Sequence, residues 1–73
     1  MARFQLQQRF AIRDEIAMLI NDARGTRMAI RVTAEADRLT RWYPQGGLSR
    51  EQIEMSIIDV AGLAGVVVEL GRR

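Results

Sequence analysis

Residues 48–70 constrain the fold of this chain more than any other part of the sequence. Ser49 has the side chain of a helix N-cap, and Gln52 occupies the position three residues later that completes a capping box. Leu48 before the cap and Ile53 after it have the spacing of a hydrophobic staple. These signals predict a helix that begins at Ser49 and ends near residue 64.

This helix carries an apolar stripe along its length. At roughly 100° per residue, five apolar residues fall on one face: Ile53, Ile57, Val60, Ala64 and Val67. Other apolar residues lie outside the stripe, so the apolar surface is wider than one partner helix requires. We interpret the helix as central to a bundle or buried across a subunit boundary, with these five as interface residues. Residues 66–70 form either a last helical turn or a short strand, because β-branched side chains crowd a helix.

The amino-terminal part of the chain fits a first helix over residues 3–23. Its apolar stripe consists of Ile12, Ile16, Leu19, Ile20 and Ala23. Residues 4–7 alternate between apolar and polar, so a strand is the alternative there. We expect Gly25 to follow the end of this helix and Thr26 to cap the next.

A second helix is predicted over residues 28–43. Five apolar positions over four turns support it: Met28, Val32, Ala36, Leu39 and Tyr43. The alternative is a strand over residues 28–32, with Thr33 capping a shorter helix. Pro44 ends the helix, and residues 45–47 form a turn. A connection this short predicts that the second and third helices form an antiparallel hairpin.

The composition excludes several classes of protein. The chain of 73 residues is one small domain, residues 1–73, and it contains neither cysteine nor histidine. Disulfides, the usual zinc sites and histidine-dependent catalysis are therefore excluded. Below about 80 residues a single core seldom supplies more than about 3–5 kcal/mol. Because 48% of the residues are hydrophobic, we expect a homo-oligomer to bury the remaining apolar surface.

Arginine supplies every basic side chain of the protein. The net charge is only +2, so the calculated pI near 10.4 is weak evidence for a nucleic-acid partner. On a continuous second helix, four arginines would fall within an arc of about 80°: Arg27, Arg31, Arg38 and Arg41. Such an arginine row can follow phosphates and bind them through counterion release. The alternatives are a solvated face, pairing with the acidic residues of the last helix, and an acidic protein partner.

No motif predicts catalysis, a metal or a cofactor. The closest carboxylate pairs are Asp14 with Glu15 and Glu51 with Glu54, and their spacing is typical of surface charge. A glycine-rich phosphate loop and metal-ligand spacing are both missing from the sequence. The polar amino terminus and the short uncharged runs predict neither a signal peptide nor a membrane span. We therefore expect a cytoplasmic protein without a catalytic residue, metal or cofactor, and without a membrane partner.

Part of the sequence resembles a ribbon-helix-helix DNA-binding domain. The matching positions are residues 30–35, Leu39, Gly47, residues 49–51 and Ile53. The resemblance implies a short strand that pairs across a dimer and lies in the major groove. It further implies that Ala29, Arg31 and Thr33 face bases, and that Ser49 and Arg50 hold a phosphate.

The chain also departs from that pattern. Pro44 and the two glycines after it interrupt the region where the first helix of the family continues, and Glu54 replaces an apolar residue. A whole helix precedes the strand. We therefore predict a mainly α, three-helix domain that forms a dimer or higher oligomer. Its expected function is non-enzymatic binding of DNA or RNA through the arginine row, and the alternative is a protein-interaction module completed by another chain.

Overall fold

The computed structural model of the chain describes residues 2–70, with side chains from Leu6 onward. This part of the chain contains three helices and two short strands, in the order α1 (Ala2–Thr26), β1 (Ile30–Arg31), α2 (Val32–Trp42), α3 (Arg50–Ala64) and β2 (Val68–Glu69). The prediction of a mainly helical fold with three helices is confirmed.

Helix α1 is longer than the sequence predicted. It passes through Gly25 and ends at Thr26, whose hydroxyl donates a hydrogen bond to the carbonyl oxygen of Asp22 at 3.0 Å. This bond ties Thr26 to its own helix, so the predictions that Gly25 follows the helix and that Thr26 caps the next one are wrong. The chain leaves the helix at Arg27, which has a left-handed φ of 59°. Residues 4–7 are helical and do not form the alternative strand.

The prediction of one continuous helix over residues 28–43 is wrong, and part of the alternative strand is present. Ile30 and Val32 are buried on either side of the exposed Arg31, which is the alternation expected of a strand. The Ile30 N–H donates to the carbonyl oxygen of Val67 at 3.0 Å. Helix α2 then starts at Val32, with Arg31 and not Thr33 at the N-cap position.

The connection between α2 and α3 packs against α1. Helix α2 ends at Trp42, shortly before Pro44, as predicted. Gly46 is buried, and a Cβ atom at this position would lie 2.7 Å from Cδ1 of Ile12. The carbonyl oxygen of Gly46 accepts a hydrogen bond from Nε of Arg9 at 3.2 Å. A side chain at residue 46 would require Ile12 to shift, so the absence of a Cβ atom and the hydrogen bond from Arg9 together hold the connection close to α1.

Helix α3 begins and ends where the sequence indicated. The Ser49 hydroxyl accepts from the Gln52 N–H at 3.1 Å, and Oε1 of Gln52 accepts from the Ser49 N–H at 2.8 Å, so the capping box is confirmed. The C-cap residue is Gly65, which has a left-handed φ of 73°. Glycine adopts this conformation without steric cost, and it turns the chain out of the helix.

The segment after α3 is extended, which is one of the two structures left open by the valine run. Strand β2 pairs in parallel with β1, with Ile30 opposite Val68 and Arg31 opposite Glu69. The carboxyl-terminal end of the described chain is thereby attached to the segment that precedes α2.

The core gathers one face of each helix together with β1. Helix α3 packs against both α1 and α2, which fits its predicted central place. The buried apolar residues are Ile12, Ile16, Ile20, Ala23, Ile30, Val32, Ala36, Leu39, Ile53, Ile57 and Ala61. Within residues 2–70, no helix is sufficiently long and apolar to cross a membrane.

Candidate binding surfaces

The four arginines of the predicted row do not share one helix. Arg27 lies in the turn after α1 and Arg31 ends β1, so only Arg38 and Arg41 belong to α2. The predicted arc required a continuous helix through residues 27–41, and β1 interrupts it. The placement of the row on the second helix is therefore corrected, while nucleic-acid binding by these residues stays a prediction.

Arg38 is held in contacts within the chain. Its Nε and Nη2 atoms donate to Oε1 of Glu35 at 2.9 and 2.6 Å, and its Nη1 lies 3.9 Å from Oε1 of Glu15 on α1. The guanidinium carbon lies 4.7 Å from the centroid of the Trp42 ring, within the range of a cation–π contact. With 31% of its side chain exposed, Arg38 connects α2 to α1 and has little capacity for an external phosphate.

Tyr43 adds a second link between these regions. Its hydroxyl donates to Oε2 of Glu15 at 3.2 Å, and its ring lies edge-on to Trp42. Partial burial raises the pKa of Tyr43, and the Glu15 carboxylate raises it further, while Arg38 opposes the shift. Glu15 therefore receives a hydrogen bond from Tyr43 and lies close to Arg38, so its carboxylate is occupied by structural contacts.

Arg31 and Arg41 are much more exposed than Arg38. Nη2 of Arg41 lies 3.5 Å from Asp37, and Nη1 of Arg50 lies 3.9 Å from the other oxygen of the same carboxylate. Nε of Arg31 lies 3.9 Å from Oε1 of Glu69. Their side chains are 78% exposed for Arg31 and 74% for Arg41, and such surface pairs contribute at most about 1 kcal/mol. Two guanidinium groups share one carboxylate at Asp37, which leaves positive charge at this point of the surface.

The five predicted interface residues divide between the core and the surface. Ile53 and Ile57 are 0% exposed in the single chain, so they are core residues with no surface left for a second chain. Val60 is 39% and Val67 is 69% exposed, while Ala64 is half-buried. The third core position of α3 is Ala61, which follows Ile53 and Ile57 at intervals of four residues. Val60 therefore borders the core and faces partly outward.

Many large apolar side chains remain exposed on the single chain. They are Leu6, Phe10, Met18, Met28, Trp42, Met55, Val60, Leu63, Val67 and Leu70. Leu6, Phe10 and the small Ala17 follow one stripe of α1, because their spacing returns to the same face at 100° per residue. Val60 and Leu63 follow one stripe of α3 in the same way. We call the surface formed by these five residues the α1–α3 face.

A groove of about 430 Å³ separates α1 and α3 on this face. Ala17 and Val60 lie on its two walls, and Arg13 and Asp59 line it as well. Neither Arg13 nor Asp59 forms an ion pair with any residue whose side chain is described. Sequence reasoning did not identify these two charges. Arg13 lies between Phe10 and Ala17 on a stripe of α1 that is otherwise apolar, and this position in the sequence could have pointed to it.

The strand that resembles the ribbon-helix-helix pattern has a different partner from the one implied. Strand β1 pairs with β2 of the same chain, whereas the resemblance implies pairing across a dimer. The Ser49 hydroxyl accepts from the Gln52 N–H, and Arg50 lies near Asp37. Both groups implied to hold a phosphate thus have a partner within the chain.

Among the residues with described side chains, no three acidic groups come together in a way that could hold a metal ion. Comparisons with protein-family models, curated proteins and solved structures give no significant match to this chain.

Proposed function

We propose that this chain is a small non-enzymatic binding module that self-associates and acts by presenting apolar helical surface to protein chains. An antiparallel hairpin of α2 and α3 would form its frame. The observation that carries the proposal is the set of large apolar side chains left exposed, among them Leu63 at 90% and Val67 at 69%. Exposed apolar side chains that share one face, as Leu6, Phe10, Val60 and Leu63 do on the α1–α3 face, are typical of a protein-interaction site.

The concentration dependence of unfolding tests this proposal. If the folded unit is a dimer, each tenfold increase in protein concentration adds about 1.4 kcal/mol to its unfolding free energy. We expect the midpoint of urea unfolding, followed by far-ultraviolet circular dichroism, to rise over a hundredfold range of concentration. A midpoint that stays constant over this range would reject self-association.

Nucleic-acid binding is the second candidate, and the shared carboxylate of Asp37 favours it. Because Arg41 and Arg50 have one acid between them, a phosphate can approach without breaking a strong pair. Arg27 and Arg31 are exposed as well and can contribute, whereas Arg38 is held by Glu35 and Trp42.

Anisotropy of a labelled DNA duplex at low and moderate salt tests this candidate. Asp37→Asn should increase the affinity and Arg50→Gln should decrease it, because they remove a competing carboxylate and a phosphate contact, respectively. Arg24→Gln makes the same change in charge on α1 and serves as the control. Equal affinities for all variants, or the absence of salt-dependent binding, would eliminate this function.

A further inference from the structure

We infer that the α1–α3 face is the contact between two copies of this chain, related by a twofold axis that runs along the groove between the two helices. The inference rests on the proposed self-association and identifies the surface that performs it. Leu6, Phe10 and Leu63 are 51%, 53% and 90% exposed, so this face offers large apolar side chains from both helices.

The two charges on the groove indicate that the occupant is a second copy. Arg13 stands on α1 and Asp59 on α3, both line the same groove, and neither has an ion-pair partner among the described side chains. A surface with one unpaired charge of each sign, carried by two neighbouring helices, is complementary to itself. In a twofold interface each contact occurs twice, so Arg13 with the Asp59 of the other copy would form two ion pairs.

The direction of the axis follows from this pairing. Rotation by a half turn about an axis parallel to the groove places α1 of one copy over α3 of the other. This rotation does not shift any residue along the groove. Because Arg13 and Asp59 line the same groove, Arg13 of one copy comes to lie next to Asp59 of the other. Phe10 and Leu63 are brought to the same interface and lose contact with water, which supplies the main stabilisation.

In this dimer Arg13 and Asp59 lie beside the axis, because both line the groove along which it runs, and the exposed apolar side chains of the α1–α3 face lie around them.

Charge reversal tests the pairing directly. Arg13→Asp and Asp59→Arg each place like charges together in a homodimer, and we expect each to weaken dimerisation about tenfold or more at low salt. An equimolar mixture of the two variants restores both ion pairs in the heterodimer, and the double variant restores them in its own homodimer. Sedimentation equilibrium of each sample measures the dissociation constants.

Matched variants separate the possible results. Asp22→Arg makes the same change in charge as Asp59→Arg on the opposite side of α1 and should leave the dimer unchanged. Leu63→Glu alters a side chain that is 90% exposed, so its circular dichroism spectrum should be that of a folded chain, but the chain should fail to dimerise.

A dimer that tolerates Leu63→Glu and both charge reversals would overturn the assigned face while leaving self-association intact. A wild-type chain that is monomeric throughout would overturn both, as would association only with a different protein.

Discussion

Replacing Ile57 with alanine distinguishes an interior position from an interface position. Ile57 is 0% exposed within the single chain and belongs to the core cluster that joins all three helices. Truncating a fully buried isoleucine removes apolar contacts and leaves a cavity, which costs about 2–5 kcal/mol. We expect Ile57→Ala to lower the unfolding free energy by about 3 kcal/mol. A core of this size supplies only about 3–5 kcal/mol, so the variant should retain little of the stability of the wild-type chain.

Urea unfolding followed by far-ultraviolet circular dichroism measures this loss, with the protein concentration held fixed. The control is Met55→Ala, which truncates a side chain of the same helix that is 60% exposed and should change the free energy by no more than about 0.5 kcal/mol. A loss under about 1 kcal/mol for Ile57→Ala, together with a fully folded chain of lower assembled mass, would refute the assignment of Ile57 to the core. Such a result would place it at a subunit interface, as the apolar stripe first suggested.

Three further predictions follow from local features of the fold. Gly62→Ala should raise the unfolding free energy by about 1 kcal/mol, because Gly62 is inside α3 with open space around it. Gly65→Ala should lower the unfolding free energy by about 1 kcal/mol through backbone strain, because the φ of Gly65 is 73°. If thermal unfolding showed both variants to be stabilised, or both destabilised, Gly65 would not be the left-handed C-cap of α3. Arg38→Gln should lower the unfolding free energy by about 1–2 kcal/mol because Arg38 bonds Glu35 and contacts the Trp42 ring. Arg41→Gln, at a surface pair, should change it by no more than about 0.5 kcal/mol, and similar losses for the two variants would count against the structural role of Arg38. The pKa of Tyr43, the only tyrosine, lies above its ordinary value, so its phenolate absorbance should appear at higher pH in the folded chain than in urea. Because the folded pKa is the higher one, stability should hold below the ordinary pKa of tyrosine and fall as pH rises through the folded value; coincident titrations would contradict this.

Features decided by a few neighbouring residues were predictable from the sequence. The capping box of Ser49 and Gln52 requires only a spacing of three residues, and Pro44 ends α2 because proline cannot continue a helix. The pairing of β1 with β2 was not predictable in this way. It joins Ile30 to Val68, which are far apart in the sequence, and two-residue strands show too little alternation to outweigh a helical stripe.

The candidate surfaces were predicted less completely than the helices. The arginine row depended on a helix that β1 interrupts, so its members were separated once that strand formed. On α3, apolar residues surround much of the helix, and periodicity alone could not choose Ala61 over Val60 for the core. The small side chain of Ala61 allows close packing, which leaves Val60 at the edge of the groove. Arg13 and Asp59 are single charges on separate helices, and only the packing of α1 against α3 brings them to one groove.

Sedimentation equilibrium of the wild-type chain over a wide range of concentration tests the central claim most directly. We expect a mass that approaches twice the 8.3 kDa of the chain as concentration rises, with the circular dichroism spectrum of a helical protein throughout. A folded chain whose mass stays at that of one copy at the highest concentration would contradict the account.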